Sequence, residues 1–217
     1  MLEENVTYCL MPNCAIFLDV RRDAYFAIDT KERPSWNLVF LGNEPLSSAP
    51  DLMRMLKERG LLRAGQTDDR ILCDIRPVAA NDSLLERGYS RRPVNPLGLI
   101  DAIIAFAWAR RRIRAGRLEQ ALRELRDISR LARKSQAQCI DASRSFHACR
   151  RLVPVQPRCL VDSLALRMFL ARRRLDADLI FGVQNEPFLA HCWVQSGSLI
   201  LNDALHHTRS FVPIRCN

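Results

Sequence analysis

Lysine is almost missing from this sequence: of 33 basic residues in 217, only Lys31, Lys57 and Lys134 are lysines. The formal charge of +9 therefore rests on arginine. Such an excess invites phosphate or nucleic acid as partner. The arginines, however, are spread through segments that also carry apolar faces, which disfavours nucleic acid and leaves an acidic peptide or a partner protein. Long hydrophobic runs are also lacking. The most apolar stretch, Pro96 to Ala109, falls short of the ~20 residues of a membrane span and contains Asp101, so it is expected to be a buried helix rather than a membrane element. The first residues, Met-Leu-Glu-Glu-Asn-Val, have no basic region leading into an apolar one, which argues against a secretory signal and for the cytoplasm. No Cys-x-x-Cys pair occurs among the eight cysteines, so a zinc ribbon is excluded and the thiols are expected to be reduced. No internal repeat or low-complexity tract is visible.

The length allows one large domain or two small ones. Thr7 to Leu10, Ala15 to Val20 and Ala24 to Asp29 read as three short strands, the last two joined by the hairpin-sized Arg21-Arg22-Asp23. A short helix over Ser35 to Leu41 follows, then a loop from Gly42 to Pro50. A second helix from Asp51 to Arg59 carries Leu52, Met55 and Leu56 on one face and stops at Gly60. Ala64 to Pro96 reads as a connector, with a strand near Ile71 to Ile75. Asn95-Pro96 is a good helix start, with the asparagine as cap. Three helical segments are expected: one through Arg114, an amphipathic one from Arg117 to Arg133, and one from Gln138 to Arg151 ended by Pro154 and Pro157. A fourth, Cys159 to Arg173, precedes strands at Asp178 to Val183, Ala190 to Gln195 and Leu199 to Asn202. The fold class is α+β. The division expected is 1–75, a connector at 76–95, and 96–217.

Cysteine chemistry needs a thiolate at neutral pH, whereas a free thiol titrates near 8.5. Cys159 sits where its helix begins, so unsatisfied backbone N–H groups, the positive end of the helix dipole and Arg158 all favour ionisation. The same N–H groups could hold an oxyanion, with Gln156 a weak second donor. The competing reading makes Cys159 a small residue in a first turn. A thiolate also needs a histidine and an orienting acceptor. Of four histidines, His147 reads as a partly exposed helix residue, while His206 and His207 could join Cys216 only in a loose metal site. His191 lies on a strand with Trp193 and Gln195 on its face. A two-residue loop at Ser196-Gly197 sets it opposite Asn202; a three-residue or bulged connection sets it opposite Asp203. Opposed Cβ atoms lie about 4.5–5.5 Å apart, near enough for an imidazole–carboxylate bond. The catalytic reading thus predicts the longer connection. Cys192 is expected to point to the opposite face, in the core, and Cys9, Cys14, Cys73, Cys139, Cys149 and Cys216 to be incidental thiols.

A helix-start cysteine followed by a strand histidine and an aspartate resembles the transglutaminase-like, papain-related cysteine enzyme core. The words Cys159-Leu160-Val161-Asp162-Ser163-Leu164-Ala165-Leu166, Gly182-Val183, Pro187 to Val194 and Leu201-Asn202-Asp203 are more specific. They resemble the leader peptidases of lasso-peptide biosynthesis, the B proteins of the microcin J25 type. The resemblance implies a Cys159–His191–Asp203 triad. Tyr8-Cys9-Leu10, Ile16 to Asp19 and Tyr25 to Ile28 resemble the small winged-helix-like domain that recognises the precursor in this family. It implies leader-peptide binding between Ala24, Tyr25, Phe26, Ala27 and Ile28 on the third strand and Leu52, Met55, Leu56 and Arg59 on the last helix. The short, proline-broken stretch Glu44 to Pro50 departs from that pattern, which has a full middle helix. The expected activity is hydrolysis at the leader–core junction without a cofactor or metal. The expected partners are the precursor and an asparagine-synthetase-like cyclase, through which any ATP requirement would enter. The alternatives are a transglutaminase-type acyl transferase and a non-catalytic peptide-binding scaffold.

Overall fold

Tyr8, Phe17 and Phe26 face one another across three strands because the hairpin registers pair Tyr8 with Phe17 and Phe17 with Phe26. Their rings lie 5.4 and 5.2 Å apart, the packing that favours aromatic residues on a half-buried pleat. The computed structural model describes residues 2–63, 70–71, 77–87, 93–129, 132 and 135–217. The expected strand near Ile71 to Ile75, beyond Ile71 itself, and Cys73 lie outside these residues. The chain divides into two compact units, Met1–Ile75 and Arg76–Asn217.

In the first unit, β1 (Val6–Leu10), β2 (Cys14–Asp19) and β3 (Ala24–Asp29) form an antiparallel sheet in the order β1-β2-β3. The central strand is wholly buried. Arg21-Arg22-Asp23 is held by the Asp19 carboxylate, which accepts from the Arg21 and Arg22 amides at 2.9 and 3.1 Å. α1 (Ser35–Phe40), a 3₁₀ turn at Leu46–Ser48 and α2 (Pro50–Glu58) cover one face. That 3₁₀ turn is all that stands between α1 and α2, as the prolines at 45 and 50 foretell. Leu52 and Leu56 are fully buried with Phe17, Trp36, Val39 and Phe40, each worth roughly 1.5–3 kcal/mol of apolar transfer. Gly60 stops α2 in the left-handed region, φ 66°, where a side chain is strained. Among the described residues β3 pairs with β2 alone and forms an edge of the sheet.

The second unit starts its helices where the caps dictate. Asn95 accepts from the Leu97 amide at 3.0 Å and Pro96 occupies the first turn of α3 (Pro96–Arg114). α4 (Leu118–Ser129), α5 (Gln136–Arg150) and α6 (Cys159–Ala171) follow. α6 is buried nearly all round, between α3, α4 and α5 on one side and the sheet on the other. Phe106 of α3, Phe146 of α5 and Phe169 of α6 form the aromatic centre, with ring spacings of 5.5 and 5.3 Å. The expectation that α3 is buried all round holds for one face only. Gly98, Ala102, Ala105, Phe106 and Ala109 are buried, while Leu97, Ile100, Ile103 and Ile104 are exposed. The small residues let α6 approach closely, and that fixes which side is covered. Asp101 is paired with Arg172 and Arg173 at 3.1 and 2.8 Å. No helix among the described residues is long and apolar enough to cross a membrane.

The sheet has five strands where the sequence suggests three. Its order is β4-β7-β6-β5-β8: β4 (Asp82–Ser83), β5 (Asp178–Gln184), β6 (Leu189–Ser196), β7 (Leu199–Ile200) and β8 (Val212–Cys216). β8 contains Pro213, which lowers its strand signal but is tolerated on an edge. β4 is two residues long and pairs parallel with β7, so it leaves no alternating pattern to detect. It lies within the stretch expected to be a mere connector. A short helix α7 (Leu205–Thr208) joins β7 to β8.

Candidate active site

Cys159 opens α6 as the sequence suggests. Arg158 is the cap residue in an extended conformation, and Asp162, one turn on, accepts from the Arg158 amide at 2.9 Å and pairs with Arg150. The carboxylate thus anchors the helix start, and the N–H groups of Cys159, Leu160 and Val161 have no intrahelical acceptors, as at any helix start. Cys159 is exposed and, with His191, Cys192 and Asp203, lines a cleft of about 420 Å³. Among the other cysteines that are described, Cys9, Cys14, Cys139, Cys149 and Cys192 are buried and Cys216 is half-buried.

His191, in β6, bonds through Nε2 to Asp203 Oδ2. The ring also interacts with the Cys159 thiol. The structure therefore brings Cys159, His191 and Asp203 together, but not by the register anticipated. The turn is two-residue, Gly197-Ser198, with Gln195 opposite Ile200 and Ser196 opposite Leu199. Gly197 takes the left-handed conformation, φ 60°. Pairing then stops at Ile200, and the chain bends over 201–203, which swings Asp203 to the imidazole. Neither register argument applies, because both assumed a strand continuing to residue 202. Asn202 is not the orienter: its Oδ1 accepts from the Val194 amide at 2.7 Å and its Nδ2 donates to Ser163 Oγ at 2.8 Å. These bonds pin the bend to β6 and α6. His147 Nε2 meets the Leu201 carbonyl at 2.8 Å, and Ser83 of β4 donates to the Asp203 carbonyl at 2.5 Å. His147 is thus a structural clamp, held neutral because burial lowers its pKa.

The electrostatics of the cleft favour an ion pair. Hydrogen bonds from the Cys192 thiol and then from His191 outweigh burial and lower Cys159 to about 4. Burial opposes a charged His191, but the bonds and charges of Asp203 and Cys159 prevail and lift it to about 9. Burial would raise Asp203, yet bonds from His191, His207 and the Ala204 amide hold it below the usual carboxylate range. Cys192 is buried, as expected, and its carbonyl accepts from Ser163 Oγ at 3.0 Å. Cys192→Ala is expected to move the pH midpoint of Cys159 alkylation by iodoacetamide upward, because the thiolate loses a donor.

Aromatic rings fix the histidine. Phe211 lies 5.0 Å from His191 and Trp193 6.1 Å. Gly182 pairs with His191 across β5 and β6, and a Cβ there would sit 2.8 Å from Trp193 Cζ3 and 2.9 Å from Phe211 Cβ. Gly182→Ala is expected to destabilise the fold by about 1–3 kcal/mol in a denaturant titration, since both rings must shift. Sequence reading missed His207, whose Nδ1 lies 3.1 Å from both Asp203 oxygens. His191, Asp203 and His207 form the one group among the described residues whose ligand atoms could hold a metal, all within 4.8 Å. The grouping of His206 and His207 with Cys216 is not found: His206 meets Glu86, and Cys216 lies on β8 with its thiol raised to about 11 by burial. Gln156 lines a separate pocket with Arg158 and is not among the residues of the cleft.

Residues 102–216 match the family described as the transglutaminase-like superfamily. The chain belongs to that superfamily. This transglutaminase-like chain is also 46% identical over 46 residues to the microcin J25-processing protein McjB of Escherichia coli, a segment covering 21% of the chain and 22% of that protein. No solved structure matches.

In the first unit, a groove of about 290 Å³ runs between β3 and α2, lined by Ala27, Ile28, Asp29, Glu32, Arg33, Trp36, Met55 and Arg59. Ala27, Ile28, Met55 and Arg59 were expected there. Phe26 lies beneath Arg59, its ring 5.5 Å from the guanidinium. Ala24 and Tyr25 pair with Asp19 and Leu18 on β2 and do not line the groove. Leu52 and Leu56 correct the expectation: both are fully buried, because the face of α2 that carries them is the one that closes the core.

Proposed function

We propose that this chain is a cysteine peptidase that binds a ribosomally made precursor through its leader and cuts the leader from the core. The Cys159–His191–Asp203 arrangement in an open cleft carries the reading. The Cys159 thiolate attacks the carbonyl of the scissile bond. The oxyanion is received by N–H groups at the start of α6, and His191 protonates the departing amine. Water then hydrolyses the acyl-enzyme with His191 as base. Asp203 holds the imidazole and balances its charge. The leader adds to the open edge of β3, where backbone pairing supplies affinity and the groove with Trp36, Met55 and Arg59 supplies selectivity. Holding the leader raises the local concentration of one scissile bond, so a modest preference at the cleft suffices.

The partial similarity to a microcin J25-processing protein supports a lasso-peptide precursor as substrate. The freed core N-terminus would then be joined to a side-chain carboxylate by an asparagine-synthetase-like cyclase. The test is mass spectrometry of a lasso precursor incubated with the chain, with and without cyclase and ATP. One cut at the leader–core junction is the expected result. Amide transfer to an added amine without hydrolysis would replace the peptidase by an acyl transferase, and leader binding with no cut under any condition would leave a scaffold.

A further inference from the structure

Several arginines of the second unit are matched with carboxylates, while others, Arg117, Arg126, Arg144, Arg151, Arg174 and Arg209 among them, are not matched among the described residues. Arg112 pairs with Glu124, Arg150 with Asp162, Arg167 with Asp176, and Arg172 and Arg173 with Asp101. Arg110, Arg111, Arg114 and Arg158 form no ion pair among the described residues. They cluster beside the nucleophile. A pocket of about 130 Å³ is lined by Arg110, Arg114, Arg158 and Gln156, with Val155 and Val161 among its apolar walls. Arg111 joins Arg110 and Arg114 in a shallower depression alongside. Arg158 lines both this pocket and the cleft of Cys159, so the two spaces adjoin at the residue preceding the thiol. The nearby acid, Asp162, is committed to Arg150 and the Arg158 amide.

We propose that this pocket is a subsite for a carboxylate side chain of the peptide being cut, which makes an acidic residue near the scissile bond a specificity determinant. Like charges drawn round one small space repel unless an anion joins them, and no side chain of the described residues does so. A carboxylate accepts two parallel bonds from a guanidinium, and Gln156 can add a neutral donor. The mixed lining suits an Asp or Glu side chain, whose methylene groups rest on Val155 and Val161 while its oxygens meet the arginines. A phosphate would leave those apolar walls unused. The proposal rests on Cys159 being the nucleophile.

The test uses iodoacetamides whose amide nitrogen carries a carboxymethyl, carboxyethyl or carboxypropyl arm, each paired with its uncharged carboxamide. The Cys159 thiolate displaces iodide to form a thioether, read by intact mass on the full chain against Cys159→Ala. At one arm length the carboxylate probe is expected to react about tenfold faster than its amide. Arg114→Gln and Arg110→Gln should each cut that ratio substantially, which separates the pocket from the general pull of His191. Equal rates at every arm length, or a ratio unmoved by either substitution, would overturn the subsite while leaving the nucleophile in place. A preference erased by inorganic phosphate well below the concentration of acetate that does so would overturn the carboxylate assignment. If no probe of either kind labels Cys159, the nucleophile and the subsite fall together.

Discussion

Cys159→Ala should reduce precursor cleavage by roughly 10⁴-fold or more while leader binding stays at the wild-type level. In the proposed mechanism Cys159 forms the covalent intermediate, and nothing remaining in the cleft can substitute for it. Cys192 is nearby, but it is buried, and burial still raises its pKa when Cys159 and its interaction are gone. The groove that is proposed to hold the leader lies in the other unit and is untouched by the substitution. Cleavage followed by mass spectrometry, with leader affinity followed by fluorescence anisotropy, separates the two effects. Residual cleavage within about tenfold of wild type would remove Cys159 from the mechanism.

Asp203→Asn should cost roughly 10³- to 10⁴-fold in kcat/KM, and it should also change the shape of the pH profile. The active form pairs a Cys159 thiolate with a His191 imidazolium. With Cys159 at about 4 and His191 at about 9, activity should rise through about pH 4, hold a plateau, and fall through about pH 9. An ordinary thiol would instead gain reactivity only towards pH 8–9. Removing the Asp203 charge takes away a main support of the imidazolium against burial, so the alkaline limb should move to lower pH. Asparagine keeps the size of the side chain, so thermal unfolding of the variant serves as the check that the fold is intact. An alkaline limb that stays in place would mean that Asp203 does not govern the charge of His191.

Much of this was legible because single residues announce it. Asn95-Pro96 marks a helix start, Gly60 a helix stop, and the aromatic alternation of the first thirty residues a small sheet. Cys159 and His191 stood out from eight cysteines and four histidines by a helix start and a strand, but position alone left Cys159 open and the family resemblance named the pair. What was hidden depends on contacts between distant segments. β4 is too short for any period, β8 is masked by Pro213, and Asp203 reaches His191 through a bend rather than a ladder. His207 meets Asp203 at a four-residue spacing, a signal that carries meaning only when residues 205–208 are read as a helix rather than a loop. Leu52 and Leu56 failed as groove residues for a related reason. An apolar helix stripe has one appetite for burial, and the core satisfied it first.

The two-residue strand β4 has a practical bearing on dissecting the protein. Ser83 holds the Asp203 carbonyl, Leu84 is buried in the unit, Leu85 lines the cleft, and Glu86 accepts from the Leu205 amide at 3.0 Å. A fragment beginning at Pro96, where the helices start, would therefore amputate one wall of the candidate site. One beginning at Arg76 would keep it, and only the longer fragment should alkylate at Cys159 with the full chain's pH profile.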